Sequence, residues 1–182
     1  MVIEKSSISD LLIIKPRVFS DDRGHFFESF NKNEFKKIGI KHDFIQDNQS
    51  FSKKDVLRGL HFQIPPYEQG KLVRVTKGSV LDVAVDLRKN SKTYGKHEKI
   101  ILSSKNGIIF WIPPGFAHGF LTLEDDTIFQ YKCTNIYNKE SERTIKWNDK
   151  ILNINWNIKY PNISEKDEQG INFDEFKKEF YI

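Results

Sequence analysis

The sequence predicts an all-β protein built as a sandwich or barrel, and three observations predict it. Ala, the best helix former, occurs only at Ala84 and Ala117, whereas Ile, Val, Phe, Tyr and Thr are plentiful. Turn signals recur at short intervals: Asp22-Arg23-Gly24, Pro65-Pro66, Lys77-Gly78, Asn106-Gly107 and Pro113-Pro114-Gly115. Between them lie short runs with strand character, and closely spaced strands with such turns read as a sandwich or barrel. The 182 residues suffice for one domain with a real core. No repeat, low-complexity tract or linker divides them, so residues 1–182 are expected to form a single domain.

The elements follow in order. The apolar cluster 11–14 comes after Asp10 and leads into Lys15-Pro16, which makes it a poor signal-peptide core. No apolar run approaches the ~18 residues of a membrane helix. A cytoplasmic protein without a membrane partner is therefore expected. Residues 33–38 and 173–180 read as two short helices, the second with Asp174, Glu175, Lys177 and Lys178 turned to solvent. Residues 71–75, the Lys77-Gly78 turn and residues 80–87 read as a hairpin. Residues 128–137 alternate, with Phe129, Tyr131 and Cys133 on one face and Gln130, Lys132 and Thr134 on the other.

Charge and cysteine content exclude whole classes. The 29 Lys and Arg are interleaved with 25 Asp and Glu, for a net charge of +4. That pattern argues against a nucleic-acid surface but leaves room for a few placed cations around an anionic small molecule. Cys133 is the only cysteine, so no internal disulfide can form.

Two clusters could carry chemistry. In Arg58-Gly59-Leu60-His61-Phe62-Gln63, strand alternation puts Leu60 and Phe62 on one side and His61 and Gln63 on the other. Turned inward, His61 and Gln63 would line a cavity; turned outward, they would be an ordinary exposed polar face. The second cluster is Gly107, five residues, Pro113-Pro114-Gly115, two residues and His118. This spacing resembles the second sequence motif of the cupin superfamily. That resemblance implies a jelly-roll β-barrel, the double-stranded β-helix, with a few short peripheral helices. Metal-binding cupins carry H-x-H, then a Glu, six residues and a Gly. Here the matching stretch is His61-Phe62-Gln63, then Lys71, six residues and Gly78, with a longer gap between Gln63 and Lys71. The second His has become Gln63 and the Glu has become Lys71. A protonated Lys is no ligand and repels a cation, so no bound metal is expected.

The segments RGLHFQ (58–63), 71–95, WIPPGFAHGFL (111–121), YKCTNIY (131–137) and WND (147–149) resemble the dTDP-4-dehydrorhamnose 3,5-epimerase family. So do DDRGHFFESF (21–30), QDNQS (46–50) and SEKD (164–167). The resemblance runs in order along nearly the whole chain. It implies inversion of C3 and C5 of a dTDP-linked 4-keto sugar, no cofactor, and a homodimer with an N-terminal strand exchanged between subunits. Carried over residue by residue, it implies His61 as the base and Asp167 as its partner. Lys71 would stabilise the C4 enolate, and Tyr131 would be the acid on the other face. These types suit the reaction, because an imidazole titrates near neutral pH and a preorganised charge stabilises an enolate. The implied substrate contacts are Arg23, Glu28, Gln46, Asp47, Asn48, Arg58, Lys71, His118, Glu142 and Lys166, with Tyr137 stacking on thymine. Arg suits a diphosphate because its planar fork pairs with phosphate oxygens. The chain departs from the family at Gly70, where Ala is expected in many members, and in its Asn-rich segment 151–160.

Other readings predict different observations. A single-inversion epimerase, or one acting on another nucleotide 4-keto sugar, would exchange one carbon or prefer another substrate. A non-catalytic sugar-binding cupin would lack His61, Lys71 or Tyr131. A metal-dependent oxygenase would purify with stoichiometric iron or zinc.

Overall fold

A computed structural model describes residues 1–180. The chain forms strands β1 (Val2–Lys5), β2 (Leu12–Lys15), β3 (Phe19–Asp21), β4 (Gly24–Phe26), β5 (Gln46–Ser52), β6 (Val56–Gln63) and β7 (Lys71–Lys77). It continues with β8 (Ser79–Asp86), β9 (His97–Ser103), β10 (Ile109–Ile112), β11 (Phe116–Thr122), β12 (Thr127–Cys133), β13 (Glu142–Thr144) and β14 (Asn162–Ile163). The helices are α1 (Lys32–Lys37), α2 (Glu165–Glu168) and α3 (Phe173–Glu179).

Two six-stranded sheets face each other. The first runs β1-β2-β10-β7-β12-β5; the second runs β13-β6-β11-β8-β9, with β14 joined in parallel to β6. The pairing along each path is antiparallel, and the fold is the cupin jelly roll. Among the described residues no helix is long and apolar enough to cross a membrane.

The 71–87 hairpin does not exist. β7 pairs with β10 and β12 in the first sheet, and β8 pairs with β9 and β11 in the second. The turn at Gly78 carries the chain from one sheet to the other. Its φ is +79°, and a Cβ there would lie 2.2 Å from the Thr127 hydroxyl. β8 is buried throughout and β7 buries Leu72, Val73 and Val75, and such apolar residues look the same whether neighbours lie side by side or face to face. The two short helices form nearly where expected. Asn31 caps α1, its side-chain oxygen accepting the Asn33 and Glu34 N–H groups. Asn172 and Glu175 form a capping box on α3. The alternating strand is confirmed but ends at Cys133 rather than at residue 137.

Three apolar clusters hold these layers. Val73, Val75, Val80, Ala84, Phe110, Phe116, Phe120 and Phe129 fill one end of the space between the sheets. Leu57, Leu60, Phe62, Val83 and Val85 pack behind the second sheet against Ile145, Trp156, Phe173 and Phe176 of the C-terminal segment. Ile14, Leu72, Ile109 and Trp111 pack behind the first sheet against Phe35 and Ile40. The barrel's remaining interior is polar, and there the site forms.

Candidate active site

β6 and β11 lie side by side in the second sheet, with His61 directly opposite His118. Their close approach depends on Gly59 and Gly119. A Cβ on Gly59 would lie 2.6 Å from the Gly119 Cα, and one on Gly119 would lie 2.8 Å from the Arg58 carbonyl oxygen. Across the barrel, β7 and β12 of the first sheet carry Lys71 and Tyr131 inward. Together they line a cavity of about 420 Å³ with Arg58, His61, His118, Tyr137 and Glu142. An adjoining recess of about 270 Å³ adds Gln46, Gln63 and Gln69 to its walls.

His61 and Asp167 form a dyad. His61 Nε2 lies 2.5 Å from Asp167 Oδ1, and Oδ2 accepts the Gly59 N–H at 3.1 Å. Asp167 is buried on α2, where Ser164 caps the turn and its Oγ accepts the Asp167 N–H. Burial alone would push the Asp167 carboxyl up. The His61 hydrogen bond and charge, the Gly59 N–H and Lys166 outweigh it and hold the carboxyl below its usual range. The dyad is thus an ionised carboxylate fixing the orientation of an imidazole.

The opposite wall supplies an acid and a cation. Burial pushes the Tyr131 phenol up to about 12, with the Cys133 thiol adding to it and Arg58 opposing, so the phenol keeps its proton at neutral pH. Burial pulls the Lys71 ammonium below its usual range, while Cys133, Asp82 and Glu142 pull it back up. The Lys71 Nζ lies 6.0 Å from the centre of the Tyr131 ring. Two walls of opposite proton character therefore face one space.

The mouth is held by a chain of contacts. The Tyr137 hydroxyl donates to Glu142 Oε2 at 2.9 Å, and Lys166 Nζ pairs with the same oxygen at 2.5 Å. Gln46 Oε1 accepts the Tyr137 N–H, and its Nε2 donates to Asn48. Arg58 donates to the Ser52 hydroxyl and is otherwise exposed.

Not every expected contact reaches the cavity. Strand alternation turns Asp47 to the other face of β5, where Lys132 binds its carboxylate at 2.9 Å. Arg23 sits on the β3–β4 turn, paired with Asp21, and Glu28 accepts from Asn31. Neither lines the cavity formed by its own chain. Gly70 has a local reason: a Cβ there would lie 2.5 Å from the Trp111 ring. Among the described residues no three His, Cys, Asp or Glu side chains converge as metal ligands.

Sequence reasoning missed Asp82. Its Oδ2 lies 2.9 Å from His118 Nε2, while its Oδ1 is buried without a hydrogen-bond partner. Burial, reinforced by Lys71 and His61, holds the His118 imidazole below its usual value despite Asp82, so His118 is neutral at pH 7. The signal was present: Asp82 is a lone carboxylate inside the apolar run Val80 to Val85.

A jelly roll with an acid–base pair facing a lysine and a phenol defines a cupin-type sugar epimerase, an isomerase. The family model described as dTDP-4-dehydrorhamnose 3,5-epimerase matches residues 5–175. The dTDP-4-dehydrorhamnose 3,5-epimerase of Shigella flexneri is 52% identical over 174 residues, covering 95% of this chain and 96% of that one. The crystal structure of the Elizabethkingia anophelis enzyme superposes with a TM-score of 0.92 at 46% identity, covering 96% of this chain and 97% of that one. The Legionella pneumophila enzyme, solved in complex with dTDP-4-keto-L-rhamnose, gives a TM-score of 0.92 at 44% identity, covering 95% and 93%. This chain belongs to the dTDP-4-dehydrorhamnose 3,5-epimerase family.

Proposed function

We propose that the chain converts dTDP-4-dehydro-6-deoxy-D-glucose to dTDP-4-dehydro-L-rhamnose by inverting C3 and C5 with its own side chains. The observation that carries this reading is the His61–Asp167 dyad on one sheet facing Tyr131 and Lys71 on the other. The C3 and C5 protons flank the C4 ketone. His61 removes one, and the electron pair moves onto the C4 oxygen as an enolate. The Lys71 ammonium stabilises that oxygen. Tyr131 then delivers a proton to the opposite face, which inverts the carbon. Asp167 keeps the His61 ring oriented and stabilises it while it holds the proton.

The nucleotide lies toward the mouth. Tyr137 stacks on the base, while Arg58 and Lys166 meet the diphosphate. Lys166 exchanges its Glu142 partner for phosphate oxygens. Arg23 and Glu28 reach a mouth only if it belongs to a second copy. The β3–β4 hairpin supports that homodimer: it is exposed along both strands, with Phe19 and Phe26 turned to solvent. A cytoplasmic setting suits a substrate carried on a nucleoside diphosphate.

The test is incubation with dTDP-4-dehydro-6-deoxy-D-glucose in D2O, read by NMR. Deuterium at both C3 and C5 is expected from the wild type, and His61→Ala is expected to be slower by about 10²–10⁴-fold. A His61→Ala variant that turns over normally would sink the mechanism. Exchange at one carbon only would make this a single-inversion enzyme.

A further inference from the structure

Gln63 occupies the position that resembles the second metal-ligating histidine of other cupins, and its amide is fully engaged. The residue is 6% exposed. Its Nε2 donates to the Tyr67 carbonyl at 2.5 Å and to the Ile136 carbonyl at 3.1 Å. Its Oε1 accepts the Asn138 N–H at 2.7 Å. All three partners are main-chain atoms in the two loops that border the cavity mouth, and two of them flank Tyr137. From the other side, Gln46 Oε1 takes the Tyr137 N–H at 2.7 Å. The main chain on both sides of Tyr137 is thus clamped between two glutamines on two different sheets, β6 and β5. The Tyr137 ring itself is about half exposed, and its hydroxyl donates to Glu142.

We propose that Gln63 is a positioning residue for nucleotide recognition: its buried amide locks main chain 136–138 so that Tyr137 presents its ring at the cavity mouth. The proposal rests on the reading above, in which Tyr137 stacks on the base. A stacking platform is effective only if it is fixed before the ligand arrives, because ordering a loop on binding subtracts from affinity. Removing the amide takes the partner from two carbonyls and one N–H in a partly buried place, which the loop relieves by moving. His61 lies two residues along the same strand but is held independently by Asp167. Loss of the clamp should therefore act on binding and leave the chemical step alone.

The experiment compares Gln63→Leu, Gln63→Glu and Tyr137→Ala with wild type, using dTDP as the calorimetric probe and the 4-keto sugar for turnover. Gln63→Leu removes all three bonds. Gln63→Glu keeps the volume and the acceptor for Asn138 but sets a carboxylate against two carbonyls, and it is read alone if the Leu variant does not fold. The dTDP Kd and the KM are expected to rise about tenfold, with kcat within about twofold of wild type. Adding Gln63→Leu to Tyr137→Ala should weaken dTDP binding no further, because the clamp acts through that ring. A lowered kcat with unchanged dTDP affinity would overturn the proposal, as would fully additive losses in the double variant. A wild type that binds dTDP but leaves the sugar unchanged would instead reject the proposed reaction. The calorimetry would still decide the role of Gln63.

Discussion

Single residues matter here mainly where burial and charge meet. Asp86 is fully buried, and its carboxylate accepts from Arg88 Nε and Nη2 at 2.8 Å and from the Ser91 and Thr93 hydroxyls at 2.6 Å. Burial alone would push the carboxyl up, but these bonds outweigh it and hold it below its usual range. A carboxyl whose folded value lies below its unfolded one stabilises the fold above the unfolded value. That contribution is lost as pH falls through the folded value. Asp86→Asn is therefore expected to be less stable than wild type at pH 7, and to lose less stability between about pH 4 and pH 2. Urea unfolding at several pH values checks this; parallel pH curves for the two proteins would contradict it. The proposed quartet was legible through the resemblance, because His61, Lys71, Tyr131 and Asp167 each sit in a run that matches the family. The inward direction of Tyr131 was not. Alternation groups Tyr131 with Phe129 and Cys133, but only the burial of those two neighbours says which side is inside.

At the scale of elements, one four-residue helix does two jobs. α2 points Asp167 inward to His61 and Lys166 outward to Glu142. Its geometry depends on Ser164, whose hydroxyl accepts the Asp167 N–H at 3.2 Å. Ser164→Ala is expected to lower stability by about 1 kcal/mol, the usual value of an N-cap. It should also lower kcat, since the dyad rides on that turn. Unchanged kcat alongside the stability loss would separate α2 from catalysis. The helices α1 and α3 were readable as short runs, the second from its solvated charges, but α2 was not, because a single turn is too short to show a period. The β7–β8 relation was not, because a Lys-Gly turn between two apolar strands fits a hairpin and a sheet-to-sheet crossing equally well. What distinguishes them is long-range: Gly78 packs on Thr127, and β12 occupies the place beside β7 that a hairpin would have given to β8. The same limit applied to Arg23 and Glu28, whose motif was plain but whose hairpin stands away from its own cavity.

For the molecule as a whole, the aromatic packing between the sheets sets the rigidity of the cavity. Phe120 and Phe129 stack across the barrel at 4.2 Å between ring centres, and Phe129 is fully buried. Phe129→Ala is expected to cost about 3–5 kcal/mol, measured by urea unfolding. A loss below about 1 kcal/mol would mean that the barrel collapses onto the space. The all-β class, sandwich or barrel, was evident from composition and turn spacing, because these reflect the local demands of strands; the jelly roll came from the resemblance to the cupin motif. The order of strands was not, because it is set by contacts between distant segments. The His61–Asp167 bond spans 106 residues of chain. That separation gives the molecule a sequence of assembly. His61, Lys71 and Tyr131 can gather as soon as β12 joins its sheet, but the imidazole has no carboxylate partner until the chain has passed Asp167 and α2 has docked. A polypeptide emerging in order would bring the strands of both sheets together first, and only afterwards gain the carboxylate that bonds His61.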